Sequence, residues 1–183
     1  MGRRGRSSFW TEPQYFVTTT VVNFAKVFTK PHYCDLLVSN IKHYQEKYEF
    51  VVYAYVIMPS HFHWIVGVDP SVGTISDVMR DIKKYSAWDV LGQLEADGRK
   101  DLLEMFRREA VGFRDQKRKF WMKRFDDEVI TTDEMLRVKV DYIHNNPVVA
   151  GLAGKPEDYP FSSARNYLLG DHSILNIETD WFD

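Results

Sequence analysis

The segment from Phe50 to Val68 constrains the fold more than any other part of the chain. β-Branched and aromatic residues fill it on both sides of one break, Pro59-Ser60. Such residues suit the pleated surface of a sheet, and Pro-Ser between two such runs favours a tight reversal. The pattern predicts a β-hairpin with a first arm from Phe50 to Met58 and a second that starts at His61 and is broken by Asp69-Pro70. Side chains alternate faces along a strand, so His61 and His63 aim two imidazoles at the same region of space. That is half of a metal site, still in need of a third ligand and an open position for substrate. Taken alone, HxH is a weak signal, and two unliganded histidines are its commoner meaning.

Tyr15 to Val22, again dense in β-branched and aromatic residues, predicts an earlier strand. From about Pro31 the period changes, and Leu37, Ile41, Tyr44 and Tyr48 fall on one face of a helix. Thr74 and Asp77 resemble a capping box, and Ile75, Val78, Met79, Ile82 and Tyr85 mark a second helix whose exposed face carries Arg80, Lys83 and Lys84. Residues 93–118 are charged and helix-prone and read as a helical insertion, followed by a short strand near Phe125 to Ile130. The order β, α, β, β, α, β is that of a split βαβ unit. The expected fold is therefore α+β, a ferredoxin-like antiparallel sheet with helices on one face. At 183 residues a single domain is expected throughout, with a mobile basic N-terminus over 1–12 and an acidic tail over 171–183.

Thr131-Thr132-Asp133-Glu134 supplies a cap and dipole-favouring acids, and Asn145-Asn146-Pro147 a stop, so a last helix is expected from Asp133 to Asn146. Leu136, Val140 and Ile143 form its apolar stripe. Tyr142 lies about a quarter turn away, by the roughly 100° per residue of an α-helix, and Asn146 shares its face one turn on.

The formal net charge of −2 argues against a protein that simply coats nucleic acid by charge. Between Arg107 and Arg124, however, eight basic residues face two acidic ones, with Phe113, Phe120, Trp121 and Phe125 beside them. Cation plus stacking surface is what a single strand requires. One cysteine, Cys34, cannot form an internal disulfide or a thiolate cluster, so a metal would be held by nitrogen and oxygen, and Cys34 itself reads as a buried small hydrophobe. No run approaches the roughly 18 apolar residues of a spanning helix, and no apolar segment follows the N-terminal charges, so a cytoplasmic location is expected.

Met58-Pro-Ser-His-Phe-His-Trp64, Asp81-Ile-Lys-Lys84, Asp141-Tyr-Ile-His-Asn-Asn-Pro-Val-Val-Ala-Gly-Leu152 and Tyr159-Pro-Phe-Ser-Ser-Ala164 together resemble the HUH-type single-tyrosine transposases. Within them the chain is most similar to the REP-associated tyrosine transposases, from the first strand to about Tyr167. The resemblance implies that His61 and His63 bind a divalent metal, Mg2+ or Mn2+, that Asn146 is the polar third ligand, and that Tyr142 attacks DNA. His144 and Asn145 are the neighbours that compete with Asn146. It also implies a 5'-phosphotyrosine intermediate, single-stranded or hairpin DNA as partner, and work at the nucleoid. A monomer is expected over a homodimer. Lys83, Lys84, Lys123 and Arg124 are candidate DNA contacts, and the two helix lysines could instead ease loss of the tyrosine proton. Two alternatives stay open: a phosphodiesterase in which water attacks, and a non-catalytic single-strand binding module.

Overall fold

The computed structural model describes residues 12–112 and 117–181, so nearly all of the basic stretch 1–12 lies outside the described residues. Four strands, β1 (Gln14–Thr20), β2 (Val51–Met58), β3 (His61–Gly67) and β4 (Asp126–Ile130), form one sheet in the order β2-β3-β1-β4. Every neighbouring pair is antiparallel. The expected hairpin is β2 and β3: Met58 pairs with His61 across Pro59-Ser60.

α1 (Pro31–Tyr48) begins with proline at its first turn, where the missing N–H is no loss. α2 (Ile75–Ala96) opens on a complete capping box, with Thr74 Oγ1 accepting from the Asp77 backbone and the Asp77 carboxylate accepting from the Thr74 backbone. Leu37 and Ile41 of α1 and Val78 and Ile82 of α2 share one core with Phe62, Trp64 and Val66 of β3. Cys34 is buried in that core. The carboxylate of Asp81 joins the two helices, accepting hydrogen bonds from Lys47 Nζ at 2.9 Å and the Tyr48 hydroxyl at 2.8 Å.

Residues 93–118 hold the last turn of α2, then α3 (Lys100–Arg108), with 113–116 outside the described residues. From Lys117 the chain returns to the sheet, where Trp121 bridges Val21 and Met122 N–H donates to Thr20 O at 2.8 Å.

α4 (Asp133–Val149) lies on the opposite face of the sheet from α1 and α2. Its Leu136, Val140 and Ile143 form a second core with Ala54 and Val56 of β2 and Ile65 of β3. The expectation of helices on one face is corrected: β2 and β3 are apolar on both sides, as their almost unbroken burial shows, so both sides need cover. α4 also runs past its expected stop at Asn146 to Val149. Proline this close to a helix end gives up one hydrogen bond, and Pro147 is buried, so packing offsets the loss.

A last short helix, α5 (Ala164–Leu169), falls outside the expected elements. The segments around it run along the outer edge of β2. Ile57 N–H donates to Phe161 O, Ser163 N–H to Tyr55 O, Glu178 N–H to Val52 O, and the hydroxyls of Tyr159 and Tyr167 to Ile57 O and Tyr53 O. Leu175, Ile177 and Trp181 of the acidic tail are buried. Among the described residues no helix is long and apolar enough to cross a membrane.

Candidate active site

His61 and His63 open β3 on the face that α4 covers, with ring centroids 4.8 Å apart. Strand register places Val56, His63, Thr18 and Asp126 in one row across the sheet. Thr18 Oγ1 lies 2.7 Å from His63 Nδ1, while Ser60 Oγ lies 3.1 Å from His61 Nδ1. In each case a hydroxyl takes Nδ1. His63 is 5% exposed, and its Nε2 is buried with no hydrogen-bond partner among the described residues.

Burial holds the His63 imidazole down at about 3, helped by the charges of His61 and Lys139, and burial also lowers His61. Both rings are therefore neutral at physiological pH, which a metal ligand requires. An unpaired buried nitrogen costs on the order of 1–3 kcal/mol. A neutral ring that donates from Nδ1 to Thr18 leaves a lone pair on Nε2, so this atom fits a ligand position. Among the described residues no group of three or more His, Cys, Asp or Glu could hold a metal ion, so the pair has no third imidazole or carboxylate with it.

Tyr142 reaches this pair from α4. Its ring meets His63 edge-on, with centroids 5.3 Å apart at 73°, and Phe16 at 5.9 Å and 80°. Phe16 in turn stacks on His63 at 5.7 Å and 13°. Tyr142 is 49% exposed, so the ring is seated while part of it stays open to solvent. Asn146 follows one turn later and is half-buried. The two rivals to Asn146 are engaged elsewhere: His144 Nε2 lies 2.8 Å from Ser163 Oγ, and Asn145 Nδ2 donates to Asp141 O at 2.9 Å.

Three neighbours of the cluster escape a reading by motif. Thr18 and Phe16 come from β1, whose alternation shows that they share a face but not that this face meets the histidines. Lys139 lies one turn before Tyr142 on α4, with its ammonium 4.5 Å from the Phe16 ring centroid and paired with Glu128. It is a cation beside the cluster. Lys83 and Lys84 sit on α2, whose core is on the other face of the sheet.

Lys83 is only half-exposed, unlike the expected solvent face, and donates to Met122 O at 2.8 Å and Lys123 O at 3.4 Å. Burial lowers its ammonium to about 8. Lys84, Lys123 and Arg124 are exposed. Of the aromatics expected to stack, Phe120 and Trp121 are core residues, Phe125 is half-buried, and Phe113 lies outside the described residues.

Residues 11–146 match the family model described as "Transposase IS200 like". The chain belongs to the IS200-like transposase family. It is thus a tyrosine transposase, an enzyme. This transposase is similar in structure to a REP-associated tyrosine transposase solved bound to a REP hairpin, with TM-score 0.64 and 23% identity over 94% of this chain and 89% of that one. A putative transposase from Deinococcus radiodurans R1 matches at TM-score 0.48 and 14% identity, over 83% of this chain and 96% of that one. No curated protein matches the transposase. The first solved relative shares the α+β fold with a four-stranded antiparallel sheet.

Proposed function

We propose that this transposase cuts and rejoins single-stranded DNA at hairpin sequences, with Tyr142 as the nucleophile. The observation that carries this is the edge-on contact of a half-exposed tyrosine with a buried histidine whose Nε2 has no hydrogen-bond partner among the described residues. Tyr142 Oη bonds to phosphorus as the bond from phosphorus to the 3' oxygen breaks, leaving a 5'-phosphotyrosine and a free 3'-OH. The tyrosine ester conserves the phosphodiester energy, so attack by another 3'-OH rejoins the strand. His61, His63 and the Asn146 amide oxygen would hold Mg2+ or Mn2+, which when bound polarises the scissile phosphate. Thr18 keeps His63 in one orientation, and Phe16 backs its ring.

The hairpin substrate is supported by the solved relative, which is bound to one. Lys83, Lys84, Lys123 and Arg124 are the proposed DNA contacts, with Lys83 as a strut that also contributes charge. We read residues 1–183 as one transposase domain, with 93–118 an insertion in it, acting as a monomer at the nucleoid. We also read the sheet as ferredoxin-like, which the antiparallel order β2-β3-β1-β4 supports.

The test is product chemistry. A labelled single-stranded hairpin oligonucleotide with flanking sequence, incubated with Mg2+ or Mn2+, should yield a covalent protein–DNA band on a denaturing gel, and Tyr142→Phe should abolish both band and cleavage. Cleavage that survives in Tyr142→Phe without a covalent band means water attacks. DNA handling that is unchanged in His61→Ala plus His63→Ala and in EDTA means a binder only.

A further inference from the structure

α2, α3 and the returning strip 117–125 enclose a groove of about 1220 Å³, which holds Lys83, Lys84 and Lys123 and lies apart from the histidine–tyrosine cluster. Among the described residues that line it, eight are Lys or Arg, against one acid, Glu95. Some of these cations are already matched: Arg80 pairs with Asp77 and Asp81, Arg107 with Glu104, and Arg118 with Glu95. Lys84, Lys117 and Lys123 make no ion pair among the described residues. The groove therefore carries unbalanced positive charge that is fit for a polyanion.

Its wall also holds Trp88, which is 58% exposed. Burying such a side chain ordinarily stabilises a fold, so an indole left open beside cations is informative in a way that a scattered exposed leucine is not. Lys84 Nζ lies 4.8 Å from the indole centroid, and Tyr85 meets the ring edge-on at 5.1 Å. A cation is thus held at an aromatic surface, the pairing that grips a nucleotide by base and phosphate at once. Bases inside a duplex are already stacked and have no face to offer, so the indole selects unpaired bases.

The groove also leads somewhere. Met122 and Phe125 line it, and Met122 N–H is bonded to Thr20 O, while Thr20 is the register partner of His61. The groove's strip therefore runs beside β1 at the histidine end of the sheet, with β1 between it and His61. Mid-α2 is tied to the same strip by the hydrogen bond from Trp121 Nε1 to Ser86 Oγ at 3.2 Å.

We propose that this groove is a single-strand track that holds unpaired DNA leading to the histidine–tyrosine cluster, with Trp88 as the base-stacking residue and Lys84, Lys117 and Lys123 as phosphate contacts. That the occupant is DNA rests on the function proposed above.

The test is fluorescence anisotropy of the full chain with a labelled oligothymidylate of about 16 nucleotides, within the span single-strand modules cover, and with a duplex of the same length. Wild type should prefer the single strand. Trp88→Ala should weaken single-strand binding by roughly 5- to 150-fold, the loss of one stacked base, and leave duplex binding unchanged, while Trp88→Phe retains most of the affinity. Lys84→Ala plus Lys123→Ala should reduce the logarithmic salt slope by about 1.4, two single-strand contacts. Equal losses on both probes, no loss in Trp88→Ala, or an unchanged salt slope overturns the track. The covalent adduct is scored separately on wild type. An adduct with no Trp88 dependence of binding overturns the track alone. Trp88-dependent binding with no adduct supports the track and overturns the proposed tyrosine chemistry.

Discussion

Thr18 Oγ1 and His63 Nδ1 are joined at 2.7 Å across the two central strands of the sheet. A ring that donates its Nδ1 proton to this hydroxyl keeps the lone pair on Nε2. Replacing the hydroxyl by a methyl of similar size, Thr18→Val, removes that preference without leaving a hole. We expect Mn2+ affinity, measured calorimetrically, to fall about 10- to 100-fold, as for other groups that orient a ligand. Thr18→Ser should restore it. Nitrogen-15 spectra of the His63 ring should show one tautomer in wild type and in Thr18→Ser, and a mixture in Thr18→Val.

Ser163 holds the tyrosine helix from behind. Its hydroxyl accepts from Tyr55 N–H at 2.9 Å and lies 2.8 Å from His144 Nε2, in a buried setting. Ser163→Ala leaves two buried polar groups without this partner. Urea unfolding should show a loss of about 2–4 kcal/mol. Because His144 is on α4 two residues after Tyr142, adduct formation should slow as well.

Acid stability should report on Asp81. Burial works to raise its carboxyl, but hydrogen bonds from Lys47, Tyr48 and Arg80 overcome that and hold it at about 2. The unfolded chain, with a carboxyl near about 3.9, binds the proton more readily, so Asp81 stabilises the fold at neutral pH. That contribution should fade as pH falls from about 4 toward 2. Asp81→Asn should be less stable than wild type at pH near 7, and the gap should narrow across that window in thermal melts.

Gly73 bears on the same carboxylate through Tyr48. A Cβ at Gly73 would lie 2.8 Å from Tyr48 Cδ1, while the Tyr48 hydroxyl donates to Asp81. Gly73→Ala should cost about 1–3 kcal/mol through overpacking. Combined with Asp81→Asn in a denaturation cycle, the two losses should not add, since both act on the position of one ring.

Local signals make the hairpin, α1, the capping box of α2 and the cap of α4 legible in the residues themselves. Thr74 and Asp77 lie within a single turn, and Pro59-Ser60 within a single reversal. What stays illegible depends on pairing between distant segments. The apolar stripe Leu136, Val140 and Ile143 says that α4 packs, not on which side of the sheet. Thr18 finds His63 only through the register of β1 on β3. Lys83 reads as a solvent-facing cation because its partners are main-chain carbonyls of Met122 and Lys123, which no side-chain pattern reveals. Trp88 falls outside every motif, since its interest lies in being exposed.

The outer rim of β2 has a consequence for self-association. Tyr53, Tyr55 and Ile57 present the main-chain groups that an incoming strand would need, and those bonded to Phe161, Ser163, Tyr159 and Tyr167 are already occupied from within the chain. At the other rim β4 meets solvent with Asp126 and Asp127, charges that repel a like neighbour. The hydrogen-bonding capacity of the β2 rim is spent internally, and the β4 rim is guarded by charge. Growth of the sheet from copy to copy is therefore closed at the first rim and opposed at the second.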